Sequence, residues 1–406
     1  MKTVLMIMIV VLMVVPAFAQ EWNVVANPDA NMYDLYSITV TPNGTVHAVG
    51  ANGTYMINSG GGFVLQVHPA NHVADIKKIF FLDNNNGYIL AGIAIVKTNT
   101  GGTNWAIQFL TTNNLYDIDF WNADSGIAVG GSDLILKTVD GGVSWTQIGR
   151  NMTTDNIVGV TWITENIVLA IADNNTLLTS TNSGDDWTSQ SLPYTTLFTD
   201  IAYNNSYVTI SGNGSVVLKS MDYGVSWTQM NFSSTLINIT AIALSSTGYA
   251  SIAVSQNGNI YQSTNDCLDW TQISNGTTNW LNSIITLSNG SGWIVGDDGV
   301  ILFNQQIPIS IEIINTQTPN EYKLTQNYPN PFNPTTNIEY SIPTSGIVTI
   351  TVHNILGQEV ANLVNEFQQA GTYRITWNGS NLSSGIYFYR IQTEQYIESR
   401  KMLLLK

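Results

Sequence analysis

Residues 20–319 carry 19 aspartates but only three glutamates, Glu21, Glu165 and Glu312. Two facing carboxylates could do glycoside chemistry, one as acid and the other as nucleophile or base. Most of these aspartates, however, stand in turn contexts such as Asp83-Asn84-Asn85-Asn86-Gly87 and Asp297-Asp298-Gly299, where a short carboxylate caps backbone N–H groups. Clamping an anionic substrate takes several arginines, and this stretch has one, Arg150. His68 and His72 have a metal-ligand spacing, but Pro69 and Asn71 argue against the helix that would align them. No G-x-S-x-G, P-loop or H-E-x-x-H pattern occurs. The one cysteine, Cys267, reads as a small hydrophobe rather than a reactive thiol, and it rules out an intrachain disulfide. The expectation is a protein without catalysis, cofactor or metal.

One aspartate context repeats. Thr138-Val139-Asp140-Gly141-Gly142-Val143-Ser144-Trp145 returns as Ser220-Met221-Asp222-Tyr223-Gly224-Val225-Ser226-Trp227. Looser copies end at Trp105, Trp187 and Trp270, with Thr100, Asn182 and Asn265 replacing the aspartate, and a degenerate one ends at Phe63. Counting from Trp22, these aromatic positions lie 41, 42, 40, 42, 40 and 43 residues apart. Short β-branched runs bounded by Gly, Asn and Asp fill the intervals, as strands and turns do. One interval holds four of them, Thr146–Ile148, Val158–Trp162, Ile167–Ile171 and Thr176–Ser180, which is one propeller blade. In the motif, Asp140 and Asp222 would cap the turn that Thr138 and Ser220 begin. Gly142 and Gly224 would take positive φ, and the tryptophans would wedge between blades. Turns lacking the aspartate should be less strongly capped. The last unit, 282–303, supplies three strands, and Glu21–Val25 supplies a fourth that closes the ring. The fold expected is all-β, a seven-bladed propeller over residues 20–304.

The repeat resembles the Asp-box, and the region resembles bacterial propellers of the photosystem II stability/assembly-factor type. Sialidases share the Asp-box, but their reaction needs three arginines. The assembly factors act through a basic patch. Here the only basic residues are Lys77, Lys78, Lys97, Lys137, Lys219 and Arg150, so that function is not carried over. Residues 20–319 hold 6 Lys+Arg against 22 Asp+Glu, a net of −16, whereas 320–406 balance at 6 and 6. A body this acidic repels phosphate backbones, which argues against nucleic acid as a partner. Loops entering the innermost strands should gather at the channel mouth. They carry Tyr33, Asp34, Tyr36, His68, His72, Asp75, Tyr116, Asp117, Asp155, Tyr194, Phe198, Asp200 and Trp280, an acidic and aromatic rim suited to a sugar, a cationic peptide or Ca²⁺.

The two ends concern export. Lys2, the apolar run Val4–Val15 and Ala17-Phe18-Ala19 form a secretory leader over residues 1–19. No later apolar run is long enough for a membrane span. Residues 305–324 read as a linker with one short strand at Ile309–Ile314. Beyond it, strands Thr336–Ile342, Ile347–Val352, Gly371–Trp377, Gly385–Thr393 and Glu398–Leu405 suit a small antiparallel, Ig-like sandwich. Residues 325–406 closely resemble the type A C-terminal sorting domain of the type IX secretion system. The matching pieces are Asn327-Tyr328-Pro329-Asn330-Pro331-Phe332, Asn354–Val360 with Gly357, Gly371-Thr372-Tyr373, Trp377-Asn378-Gly379, Ser384–Phe388 with Gly385, and Lys401–Lys406. The resemblance implies recognition by that machinery and passage across the outer membrane. The tail is then removed, leaving a protein that is extracellular or held on the outer-membrane surface. The expected role is a non-catalytic binding, adhesion or scaffold module for an extracellular protein or glycan. The alternatives are a glycoside-acting enzyme and an assembly factor for an envelope complex.

Overall fold

A computed structural model describes residues 22–66, 74–148, 153–194, 196–232, 237–244, 250–273, 277–287, 291–305, 311–315, 318–379 and 382–406. The expected leader, His68, His72 and Arg150 lie outside the described residues. Among the described residues, strands preceding residue 305 form seven sheets. Each is an antiparallel run from an innermost strand outwards, as in blade 3, where Leu115–Phe120, Gly126–Gly130, Leu134–Thr138 and Thr146–Ile148 pair in order. The innermost strands begin at Leu35, Ile76, Leu115, Ile157, Phe198, Ile239 and Leu281; each packs on the next and the seventh on the first. In blades 1 to 6 the second strand is buried at every residue, because a neighbouring blade covers either face. This is why these strands read as continuous apolar runs rather than alternating ones.

The front of the chain completes blade 7. Asn23 pairs with Phe303 and Val24 with Leu302, while Trp22 is buried among Ile252 and Ile260 of blade 6 and Ile294 and Leu302 of blade 7. Blade 6 departs from the expected four strands. Asn231–Phe232, on the way from blade 5, adds parallel to Asp269–Ile273, and Phe232 stacks on Trp270 with centroids 5.6 Å apart. All seven innermost strands bulge at their second residue: Tyr36, Lys77, Tyr116, Val158, Thr199, Thr240 and Asn282. A bulge re-aims the side chains on either side of it, and here it separates the channel mouth from the channel wall.

The C-terminal region is a two-sheet sandwich. One sheet runs Ile311–Asn315, Gly371–Asn378, Thr335–Ile342, Lys323–Leu324; the other runs Glu359–Gln368, Gly346–His353, Gly385–Gln392, Ile397–Leu404. Ile338, Tyr340 and Trp377 of the first meet Ile350, Tyr389 and Ile391 of the second in one core. Two features correct the sequence reading. The segment read as a linker contributes both edge strands of the first sheet, and of these only the short strand near Ile309–Ile314 was foreseen, not Lys323–Leu324. Glu359–Gln368 is a strand that was not foreseen, since Val360, Leu363, Val364 and Phe367 have helical spacing.

Candidate functional site

The repeated turns come first, because they set the blades. Thr138 Oγ1 donates to Asp140 Oδ1 at 2.8 Å and accepts the Gly142 N–H at 2.8 Å. Asp140 accepts from the Ser144 N–H at 2.9 Å and from Ser144 Oγ at 2.6 Å. Ser220, Asp222, Gly224 and Ser226 repeat this pattern. These bonds, led by the serine hydroxyl, hold both carboxyl groups down to about 2. The expectation of weaker capping elsewhere needs correction in two turns. Asn182 Oδ1 still accepts the Asp186 N–H at 2.9 Å while its Nδ2 donates to Asp186 Oδ2 at 2.9 Å. Asn265 and Asp269 do the same at 3.0 and 3.0 Å. The polarity of the pair is reversed and the bonds are kept. At Thr100 a hydroxyl alone accepts the Asn104 N–H at 3.0 Å.

The motif aromatics lie between their own blade and the preceding one: Trp105, Trp145, Trp187, Trp227 and Trp270 each join a cluster drawn from both. The indoles of Trp105, Trp187 and Trp227 donate to the carbonyls of Gly102, Gly184 and Gly224 at 3.0 Å. The turn docks on the preceding blade so closely that a Cβ on Gly142 would stand 2.8 Å from the Tyr88 ring, and one on Gly224 would stand 2.8 Å from Leu169. Blade 6 puts Cys267 at that place, fully buried with φ 64° and Sγ 3.5 Å from the Tyr207 hydroxyl. Burial pushes its thiol up to about 11.

Three of the propeller's few lysines fasten the same joints. Lys97 Nζ reaches Gly141 O of the next blade at 2.6 Å, Lys137 reaches Asp185 Oδ1 at 2.6 Å, and Lys219 reaches Asp266 O at 2.7 Å. They are therefore committed between blades.

Inside the channel the innermost strands have an unpaired edge, and side chains of the preceding blade meet its N–H groups in blades 2, 4 and 6. Asp117 Oδ2 accepts the Val160 N–H at 2.9 Å, Asp119 Oδ2 the Trp162 N–H at 2.8 Å, and Asp200 Oδ2 the Ile242 N–H at 2.8 Å. Ser37 Oγ does this for Ile79 at 3.3 Å. Lys78 Nζ sits 2.7 Å from Asp117 Oδ1. Burial raises the Asp119 carboxyl to about 7, against the pull of the Trp162 N–H. It raises Asp200 to about 6, against the pull of Lys78.

The expected rim is thereby divided. Asp117 and Asp200, one residue past the bulge, hang inside the channel. Asp34 and Asp75 remain at the mouth, Asp34 accepting the Asp298 N–H at 3.0 Å and Asp75 the Asn52 N–H at 3.1 Å. Between them stands Tyr36, with the Lys77 ammonium 3.6 Å from its ring centroid and 3.1 Å from Asp75 Oδ2. Burial and then the charges of Asp75, Asp34 and Asp297 raise the Tyr36 phenol. Tyr36 belongs to the loops expected at the mouth, whereas Lys77 did not stand out in the sequence. Trp280 is half exposed, and its carbonyl accepts the Asp297 N–H at 2.8 Å. Tyr116 turns its hydroxyl toward Gly131, and Tyr194 lines a groove between blades 4 and 5. Among the described residues no group of three or more His, Cys, Asp or Glu is arranged to hold a metal ion.

In the sandwich, the sorting motif is tied to the end of the chain. Asn327 is buried, its N–H donating to the Tyr389 hydroxyl at 2.8 Å and its amide to Thr336 Oγ1 at 2.9 Å. Asn330 Oδ1 accepts the Leu403 N–H at 2.9 Å. Phe332 exchanges backbone bonds with Leu403 and Leu405, both 2.9 Å. The Tyr328–Pro329 and Asn330–Pro331 peptides are cis. Gly357 turns at φ 78°, Gly371 and Gly385 open strands, and the Lys406 N–H donates to Ser384 Oγ at 3.0 Å.

Fold and site together define an all-β propeller protein with a separate sandwich behind it. Residues 326–405 match the family described as the secretion system C-terminal sorting domain, and residues 149–290 match the photosynthesis system II assembly factor YCF48. Among solved structures, YCF48 from Cyanidioschyzon merolae is similar at 17% identity and a TM-score of 0.57, covering 70% of this chain and 98% of its own. YCF48 bound to D1 peptide is similar at 15% and 0.57, covering 71% and 98%. Virginiamycin B lyase from Staphylococcus aureus is similar at 14% and 0.61, covering 70% and 99%. At these identities the likeness is one of fold. No curated protein matches the chain. The molecule is an assembly-factor-like propeller with a sorting tail, and the tail indicates export by the secretion system that reads such domains. Among the described residues no helix is long and apolar enough to cross a membrane.

Proposed function

We propose that the exported protein is a non-catalytic binding module, shown on the cell surface or released from it, whose channel mouth receives a cationic segment of an extracellular protein. The observation that carries this reading is Lys77 over Tyr36. An ammonium already occupies the aromatic face beside Asp75, and Asp34 and Asp297 add two more carboxylates around the same ring. Three carboxylates against one ammonium leave the mouth negative, so a second cation is drawn there and gains a ring contact. The peptide-bound YCF48 structure supports a propeller of this shape taking a peptide. Lys97, Lys137 and Lys219 are spent in the joints and Lys78 in the channel, which weighs against a basic patch like an assembly factor's. The channel aspartates are likewise committed to backbone N–H groups, which weighs against the glycoside-acting alternative.

Calorimetry of the exported chain with an octalysine peptide tests the reading. Tyr36→Ala with Asp75→Asn should weaken binding about tenfold, and salt should weaken it further. Octalysine affinity unchanged in the double variant, or release of reducing sugar from a glycan by the unaltered protein, would overturn it.

A further inference from the structure

Around the mouth, the residue preceding an innermost strand has a common task. Its carbonyl accepts from the turn between the second and third strands of its own blade. Asp34 O takes the Ala51 N–H in this way and Trp280 O the Asp297 N–H, both at 2.8 Å. In four blades the side chain also holds the equivalent turn of the preceding blade. Asp34 and Asp75 accept the N–H groups of Asp298 and Asn52 at 3.0 and 3.1 Å, and Asn156 and Asn238 accept those of Ser132 and Gly214 at 3.3 Å.

Trp280 keeps the backbone half of this task and cannot perform the other, since an indole offers no acceptor. Its ring stays half exposed instead, as an apolar surface beside the carboxylates of the mouth. Asp297 and Asp298 form the turn that its carbonyl holds, and Asp34 reaches that turn from blade 1. Met32, also exposed, adjoins the same turn, its Cα 3.2 Å from where a Cβ on Gly299 would stand. Leu197 of blade 5 is likewise apolar at this position, but no charged residue lines the groove around it.

The amide donors that flank Trp280 in the chain are engaged within the fold. Asn279 donates to Asp297 O at 3.3 Å and Asp298 Oδ2 at 3.2 Å; Asn282 donates to Leu35 O at 3.0 Å and Asp297 Oδ1 at 2.7 Å. A ligand therefore meets an aromatic face next to negative acceptors. A neutral sugar wants donors as well as acceptors, whereas a cation beside a large apolar side chain matches both features.

We propose that the segment received at the mouth carries a large apolar side chain next to its cation, and that this side chain packs on Trp280. The proposal rests on the cationic reading of the mouth and adds the residue that selects among cationic segments. A lysine flanked by small polar residues would be held by charge alone. One flanked by leucine or phenylalanine would also be held by the ring, and salt would weaken it less.

The experiment is calorimetry of the intact exported chain with two octapeptides of equal charge, and with cellohexaose. Lysine alternates with leucine in one peptide and with serine in the other. The leucine peptide should bind about tenfold tighter, as half-burying one leucine side chain gives. Trp280→Ala should bring its affinity down to that of the serine peptide. Trp280→Phe, which restores a ring, should keep most of the preference and controls for any disturbance of the turn. The proposal is overturned if the two peptides bind alike, if Trp280→Ala keeps the preference, or if cellohexaose binds at a site that Trp280→Ala removes. Equal binding of the two peptides would leave the cationic mouth standing, whereas failure of both to bind would remove it together with this proposal.

Discussion

Lys78 of blade 2 and Asp117 of blade 3 meet at 2.7 Å inside the channel, and the second oxygen of Asp117 holds the Val160 N–H of blade 4. One carboxylate thus spans three blades. Asp117→Ala leaves an ammonium and a backbone N–H without partners. A fully buried pair broken this way costs about 3–5 kcal/mol. About a third of the Lys78 side chain remains in water, so the expected loss is about 2–3 kcal/mol. Urea unfolding measures it, and Asp117→Asn, which can still accept from Val160, should lose less.

The same channel makes stability depend on pH in an unusual direction. Asp119 and Asp200 titrate near 7 and 6 in the folded protein, above their ordinary value of 3.8. Groups raised on folding stabilise fully below the unfolded value, and the contribution is lost as pH rises through the folded one. Lys78 and Asp117 face them and set part of the balance. The melting temperature should therefore fall between pH 5 and pH 8. Asp119→Asn, which removes a titrating group but keeps an acceptor for Trp162, should flatten the profile.

The reversed pairs in blades 4 and 6 predict a compensation in blade 3. Asp140→Asn should lower the melting temperature by roughly 2 °C, because the introduced amide then meets the Ser144 hydroxyl, which had been the carboxylate's donor. Ser144→Asp alone should also be harmful, since it sets two carboxylates together. The double variant copies Asn182 with Asp186 and should recover most of the loss. A sum of the two single effects in the double variant would refute the pairing.

Two glycines with similar φ separate strain from crowding. Gly44 turns at φ 87° with nothing near its would-be Cβ, whereas Gly142 turns at φ 77° against Tyr88. Gly44→Ala should cost about 1 kcal/mol of conformational strain. Gly142→Ala should cost about 2–4 kcal/mol, because rigid packing must also give way. Denaturant unfolding of both variants checks the difference.

The architecture was legible because aromatic spacing counts blades, and a three-strand final unit asks for a fourth strand from elsewhere. The division of the rim was not. Asp75 and Asp117 look equivalent in sequence, yet a bulge between their positions sends one to the mouth and the other into the channel. Some signals stood in plain view. Lys97, Lys137 and Lys219 each precede the motif Thr or Ser, the place from which a side chain reaches the next blade. Asn182 with Asp186, and Asn265 with Asp269, showed the swap as paired substitutions. Glu359–Gln368 was hidden by an apolar spacing that fits a helix as well as a strand.

The joint at Asn23–Val24 is the fastening of the wheel made without chain continuity, and it is two residue pairs long. Freeing it would bare the outer edge of Ile301–Asn304 and let the disc spring into an open hook. Two such hooks could exchange their front strands and link as a pair. Trimming a few residues from the start of the propeller removes the strand to be exchanged and should instead leave chains that associate edge to edge along Ile301–Asn304.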